Sequence, residues 1–160
     1  MKKQGLLVVM VALAICGCTS KYQMVTPYNE KDWAAYEKKG ASVITGQAFL
    51  KTRGGEVRYG AGETVTLIPV TSYTTELLQA SMKRAKITNL DSRWENHNKE
   101  TVADGNGNFE FNNIPAGDYL LQCDVYWQVP GQYGMETTGA TIKKQVKVSD
   151  GEKIKVIMTE

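Results

Sequence analysis

The sequence predicts a mainly β protein, a sandwich of about seven strands with a short N-terminal helix and one inserted helix. Three observations carry that reading. From Ser42 onward, apolar and polar residues alternate in short runs broken by Gly, Asn and Pro, the punctuation of sheet strands. Residues 119–127 alternate most cleanly, with Tyr119, Leu121, Cys123, Val125 and Trp127 facing inward and Gln122 and Asp124 facing outward. Inside this β region one stretch breaks the rhythm, because Leu77, Leu78, Met82 and Ala85 recur at helical spacing.

The chain opens with Met1, Lys2, Lys3 and Gln4, and uncharged apolar residues follow from Leu6 to Ile15. A basic start before a short apolar run has the organisation of a secretory leader. Crossing a bilayer takes roughly 20 apolar residues, so the run is too short to span. The segment Ile15-Cys16-Gly17-Cys18 resembles the bacterial lipobox, which implies cleavage between Gly17 and Cys18 and diacylglyceryl on the Cys18 sulfur. A frame ending at Cys16 fits less well, since it puts bulky Ile15 where the peptidase requires a small side chain. An ordinary leader would need another pair of small residues before Thr19, and none is evident. Each buried CH₂ of an acyl chain contributes about 0.8 kcal/mol, so two or three chains make membrane attachment effectively permanent. By the same resemblance, Thr19 after the cysteine implies the outer membrane.

Removing residues 1–17 from the 160 leaves 143, enough for one domain with a sizeable core. Lys2 and Lys3 leave with the leader, so 17 of the 19 basic residues remain against 17 acidic ones. A neutral chain gives no electrostatic case for nucleic acid. Of three cysteines, Cys16 is removed and Cys18 carries lipid, so Cys123 is left without a disulfide partner. In an oxidising compartment an exposed thiol would pair between molecules, and Cys123 is expected to be buried.

In chain order, residues 18–28 read as a tether, and 29–40 as a short helix with Asn29 as cap, Glu30 and Asp32 in its first turn and Gly40 as its stop. Trp33 and Tyr36 share a face of that helix. The sandwich follows over 41–160, with a first strand Ser42–Arg53 and a second Glu63–Thr71. A helical insertion covers 74–100, its helix running from Glu76 to Ile87 with acid first and Lys83, Arg84 and Lys86 last. Residues 88–100 form a polar loop in which His97, between Asn96 and Asn98, is expected to be solvated. Ile142, Val146 and Val148 alternate with Lys143, Gln145 and Lys147, and Ile154, Val156 and Met158 with Lys153 and Lys155. Asp150-Gly151 between them predicts a hairpin. Lysines on an outer face blunt edge-to-edge association.

The stretch Asp104-Gly-Asn-Gly-Asn-Phe109-Glu-Phe111-Asn-Asn-Ile114-Pro115-Ala-Gly117-Asp-Tyr119 resembles the signature of carboxypeptidase regulatory-like domains, which are transthyretin-like β-sandwiches. The resemblance covers about residues 42–160 and implies a Greek-key sandwich. In it, Asp104 and Gly107 form one turn and Gly117 the next, the glycines supplying positive φ, while Phe109 and Tyr119 enter the core. The helical insertion lies outside the minimal pattern. Modules of this kind serve as spacers, adhesive domains and assembly parts, so fold alone does not give function.

No enzyme constellation stands out. By the same resemblance, hydroxyisourate hydrolases need several histidines and intradiol dioxygenases hold iron with two His and two Tyr, whereas this chain has one histidine, His97. Metal and phosphate motifs are also lacking. Asp104, Asn106 and Asn108 mimic the start of a calcium loop, but Phe109 sits where such a loop needs glycine and Pro115 where it needs glutamate. An isopeptide bond is not expected, because the last strand, 153–159, offers neither Asn nor Asp. A hydrolytic set drawn from Asp91, Glu95 and His97 has no support from spacing. No cofactor or metal is expected.

The loop after Trp127 is the best recognition candidate, with Tyr126, Gln128, Tyr133 and Met135 as its contact residues. The leading expectation is a non-enzymatic lipoprotein whose sandwich binds or braces another envelope, secretion or surface-assembly protein, held near the bilayer by its tether. The alternative is a glycan or small-ligand binding module using the Tyr126–Tyr133 region.

Overall fold

The computed structural model describes residues 21–160. The expected leader, the Gly17–Cys18 cleavage point and the acylated Cys18 lie outside the described residues. Among the described residues are ten strands and one α-helix: β1 (Lys21–Tyr22), β2 (Ser42–Lys51), β3 (Val57–Tyr59), β4 (Thr64–Pro69), α1 (Ser72–Met82), β5 (Lys86–Ile87), β6 (Lys99–Val102), β7 (Asn108–Ile114), β8 (Gly117–Gly131), β9 (Gly134–Val148) and β10 (Lys153–Met158). In one sheet β2 is flanked by β10 on one edge and by β7 and then β3 on the other. The second sheet runs β6-β4-β8-β9.

Alternation dictates how the sheets meet. Along β2 every second residue from Ser42 to Leu50 is buried, and on β8 Tyr119, Leu121, Cys123 and Val125 are nearly inaccessible. These side chains join Val65 and Leu67 of β4, Phe109 and Phe111 of β7 and Val156 and Met158 of β10 in one apolar core. Burial of each large aliphatic side chain contributes about 1.5–3 kcal/mol, which fixes the register of both sheets. Cys123 is buried as expected, and desolvation pushes its thiol up to about 11, so it stays protonated.

The turn expected at Asp104–Gly107 forms. Asp104 accepts from the backbone N–H groups of Asn106 and Asn108 at 2.8 and 2.9 Å and from the Asn108 amide, so its carboxylate closes the turn. Those bonds hold it below the usual Asp range. Gly107 has φ +75°, and a Cβ there would strike the carbonyl oxygen of Ala48. The second turn differs from expectation. Its positive φ, +58°, falls on Asn113 rather than Gly117, and Gly117 serves instead to let the Tyr36 ring pack against the backbone.

The expected hairpin between the last two strands is corrected. β9 pairs with β8 in one sheet, whereas β10 lies parallel to β2 in the other. The Asp150-Gly151 turn is tied to the start of β2 through Ser42 Oγ donating to the Ser149 carbonyl (2.7 Å) and the Val43 N–H donating to the Glu152 carbonyl (2.9 Å). Both strands carry apolar residues for the same core, and crossing between sheets lets Val148 and Val156 enter it from opposite sides.

Both helices also shift. The one expected over 29–40 is a 3₁₀ turn, Glu30–Asp32, capped by Asn29. A segment this short has little intrinsic helical stability, and the docking of Trp33 and Tyr36 decides its path. The inserted helix spans Ser72–Met82 instead of 76–87, because Thr71, five residues before Glu76, forms a reciprocal capping box with Thr74. Lys83 closes it and Arg84 turns away at φ +52°.

That early start frees Glu76 for another task. Its carboxylate accepts from Tyr22 Oη (2.8 Å), the Val25 N–H (2.8 Å) and the Thr26 N–H (2.7 Å). Asn89 brackets Met24 on both backbone groups, and β1 pairs with β5. Residues 21–28, expected to be tether, are therefore docked on the insertion. The hydrogen bonds from Thr26, Val25 and Tyr22 pull the Glu76 carboxyl down to about 2. A depressed carboxyl stabilises above its unfolded value and loses that contribution as pH falls through the folded one. Amide-exchange protection at Val25 and Thr26 should hold from neutral pH to about 4.5 and fade towards pH 2. Glu76→Gln should weaken that protection several-fold and remove its pH dependence; protection unchanged in the variant would refute the clamp.

Candidate functional site

Among the described residues β8 has β9 as its only strand partner from Asp124 onward, and the two continue in register to Gly131 and Gly134 around a turn at Gln132-Tyr133. Alternation places Asp124, Tyr126 and Gln128 on one face, with Thr141, Gly139 and Thr137 directly across and Met135 next to Gln128's pair. Three of the four contact residues expected from sequence, Tyr126, Gln128 and Met135, thus share a surface. Tyr133 caps the tip at 92% exposure.

Polar groups on this face are already ordered. Gln128 Nε2 donates to Thr137 Oγ1 (2.8 Å), Thr141 Oγ1 donates to the Asp124 carboxylate, and Tyr126 Oη lies 3.4 Å from Thr141 Oγ1. Tyr126 is about half exposed, and Gly139 opposite it carries no side chain to cover the ring. The opposite face of the hairpin is different. Trp127 packs, partly buried, against the core there, with the Arg58 guanidinium 5.9 Å from its ring. A flat aromatic flanked by amide, hydroxyl and carboxylate suits a ligand with an apolar C–H face and many hydroxyls.

A second depression, of about 540 Å³, lies where the N-terminal segment meets residues 93–99. His97 is corrected from solvated to packed. Its ring stacks on Trp33 at 4.4 Å, its Nε2 lies 2.7 Å from Tyr28 Oη, and its Nδ1 lies 3.5 Å from Glu37. Arg93 sits 4.4 Å over the Tyr28 ring while its guanidinium bonds both Asp91 oxygens, which lowers the Asp91 carboxyl and raises Arg93. Asp91 and His97 therefore have separate partners and do not form the hydrolytic set considered with Glu95. Among the described residues no three His, Cys, Asp or Glu side chains converge as metal ligands. Sequence reading missed Tyr28, Glu37 and Asn98 here; the aromatic pair Tyr28 and Trp33 before the body was the available signal.

A third depression, about 350 Å³, is apolar and runs between α1 and the outer face of β4 and β8, bounded by Ile68, Leu77, Leu78, Trp94 and Leu120. Its lining suits hydrocarbon rather than hydroxylated ligands.

A solved structure of a candidate carbohydrate-binding protein from Pseudomonas aeruginosa aligns with a TM-score of 0.73 at 29% identity, over 84% of this chain and 99% of that one. This chain is similar to that protein in both fold and sequence. The major pilin subunit of Bacillus cereus aligns at a TM-score of 0.40 and 16% identity, over 76% of this chain and 30% of that one, which is too distant to carry an argument. No family model and no curated protein matches the chain.

Proposed function

We propose that this protein is a lipid-anchored carbohydrate-binding module of the cell envelope, which holds a glycan on the outer face of the β8–β9 hairpin without transforming it. The observation that carries the reading is the similarity to a candidate carbohydrate-binding protein over nearly all of that protein's length. Hairpin chemistry supports it, since Tyr126 offers a ring and Gln128, Thr137 and Asp124 offer paired donors and acceptors beside it. The glycan reading is preferred on these grounds to the bracing of an envelope protein. The Asp104, Gly107, Phe109, Gly117 and Tyr119 pattern supports placing the sandwich among the carboxypeptidase regulatory-like domains.

Acylation at Cys18 would set the working position. Lys21 pairs with Lys86, and the three residues from Cys18 to Ser20 would span at most about 11 Å. The insertion would then stand at the bilayer surface.

A glycan array probed with the detergent-solubilised chain tests the reading. Wild type should bind a defined sugar set, Tyr126→Ala should weaken it roughly tenfold, and Gln128→Ala should weaken it less. In the same cells Cys18→Ala should move the protein from the membrane to the soluble fraction. Binding indifferent to Tyr126 removes this face, and binding to no glycan removes the carbohydrate reading.

A further inference from the structure

We infer that the apolar depression between α1 and the outer face of β4 and β8 is a binding groove for a fatty acid, with the hydrocarbon chain against the leucines and the carboxylate at Lys143. It shares no residue with the hairpin glycan face and does not depend on it. Ile68 and Leu120 are directly paired across β4 and β8 and form the floor, and Leu77 and Leu78 of α1 form the wall. At about 350 Å³ the space lies within the roughly 300–1,000 Å³ of small-ligand sites. A hydrocarbon chain laid along these side chains removes apolar surface from water on both partners.

Charge decides which hydrocarbon. Lys143 is the one ionisable side chain in the lining, and it stands on β9 directly across from Gln122. Its ammonium makes no ion pair among the described residues. The acids on the same sheet face are placed elsewhere: Asp118 stands opposite Lys147, Asp124 accepts from Thr141 Oγ1, and Glu100, across from Thr66, lies outside the lining. A carboxylate arriving at Lys143 therefore gains a cation and the neighbouring Gln122 amide without meeting a fixed negative charge. An uncharged chain gains only the apolar contacts, and acyl groups linked to Cys18 as ester or amide would be of that kind. The N-terminal segment is in any case held on another side of α1, because Glu76, which binds Tyr22, Val25 and Thr26, lies about 200° around the helix from Leu78.

Calorimetric titration of the full chain carrying Cys18→Ala, handled without detergent, tests the groove with octanoate, decanoate and decanol below their micelle concentrations. Decanoate should bind one per chain, about tenfold tighter than octanoate, which has two fewer methylenes, and about tenfold tighter than decanol, which lacks the charge. Lys143 is exposed, so Lys143→Gln should keep the fold, bring decanoate down to the affinity of decanol and leave decanol unchanged. Leu78→Gln should weaken both ligands about tenfold. Tyr126→Ala should change neither. Decanoate and decanol binding equally, with Lys143→Gln silent, would assign the groove to uncharged acyl chains and overturn the fatty-acid reading. Binding lost in Tyr126→Ala would put the ligand on the hairpin and overturn it as well. Binding indifferent to Leu78→Gln, or no binding of decanoate, removes the groove while leaving the glycan reading standing.

Discussion

Tyr119→Ala is expected to lower the folding free energy by about 3–5 kcal/mol, the cost of emptying an aromatic site in a packed interior. Tyr119 is 1% exposed at the centre of the sandwich core. Its ring meets Tyr36 edge-on at 5.3 Å, and its hydroxyl donates to the Pro115 carbonyl at 2.9 Å. One side chain thus joins the core, the turn before β8 and the N-terminal segment. Tyr119→Phe keeps the volume and leaves only the buried Pro115 carbonyl unpaired, so it should cost about 1 kcal/mol. Urea unfolding of both variants separates the contributions. With a slope of about 1–3 kcal/mol per molar, the alanine variant should shift the midpoint by more than 1 M and the phenylalanine variant by less. Equal shifts would mean that the hydroxyl, not the ring, holds the turn.

How much of this was legible in the chain depended on the range of the interaction. Period-two alternation is local, so the core residues of β2, β4 and β8 and the burial of Cys123 could be read directly. The Asp104 turn was legible for the same reason, since all its partners lie within four residues. Strand pairing is not local. Asp150-Gly151 has the composition of a hairpin turn, yet Ser42, more than a hundred residues earlier, decides where it leads. The helix start was missed because the capping partner at N3 is Thr74 rather than Glu or Gln, and the charge order pointed to Glu76 as the first residue. Glu76 instead holds backbone groups fifty positions away, which no pattern within the insertion announces. On the hairpin, that Tyr126, Gln128 and Met135 share a surface follows from local alternation, whereas the Tyr28–His97 cleft needed two segments 69 residues apart to meet.

Trp33→Ala should produce the other large effect, and a spatially confined one. Trp33 has no exposed surface and sits in a cluster with Met24 and Tyr73 that is separate from the sandwich core. Its ring stacks on His97 at 4.4 Å and on Tyr28 at 5.8 Å, so truncation removes the centre of the contact between the N-terminal segment and the insertion. The loss should be about 3–5 kcal/mol, felt by that subdomain first. Amide exchange should therefore accelerate across 22–36 and 72–97 while β2, β4 and β8 keep their protection. The His97 Cε1–H resonance should move to the position of a solvated imidazole. Because the hairpin face lies on a different part of the sheet, the proposed glycan binding at Tyr126 should survive in this variant. Uniform loss of protection across both clusters would show that the two cores fold as one unit and that the N-terminal segment is integral to the sandwich.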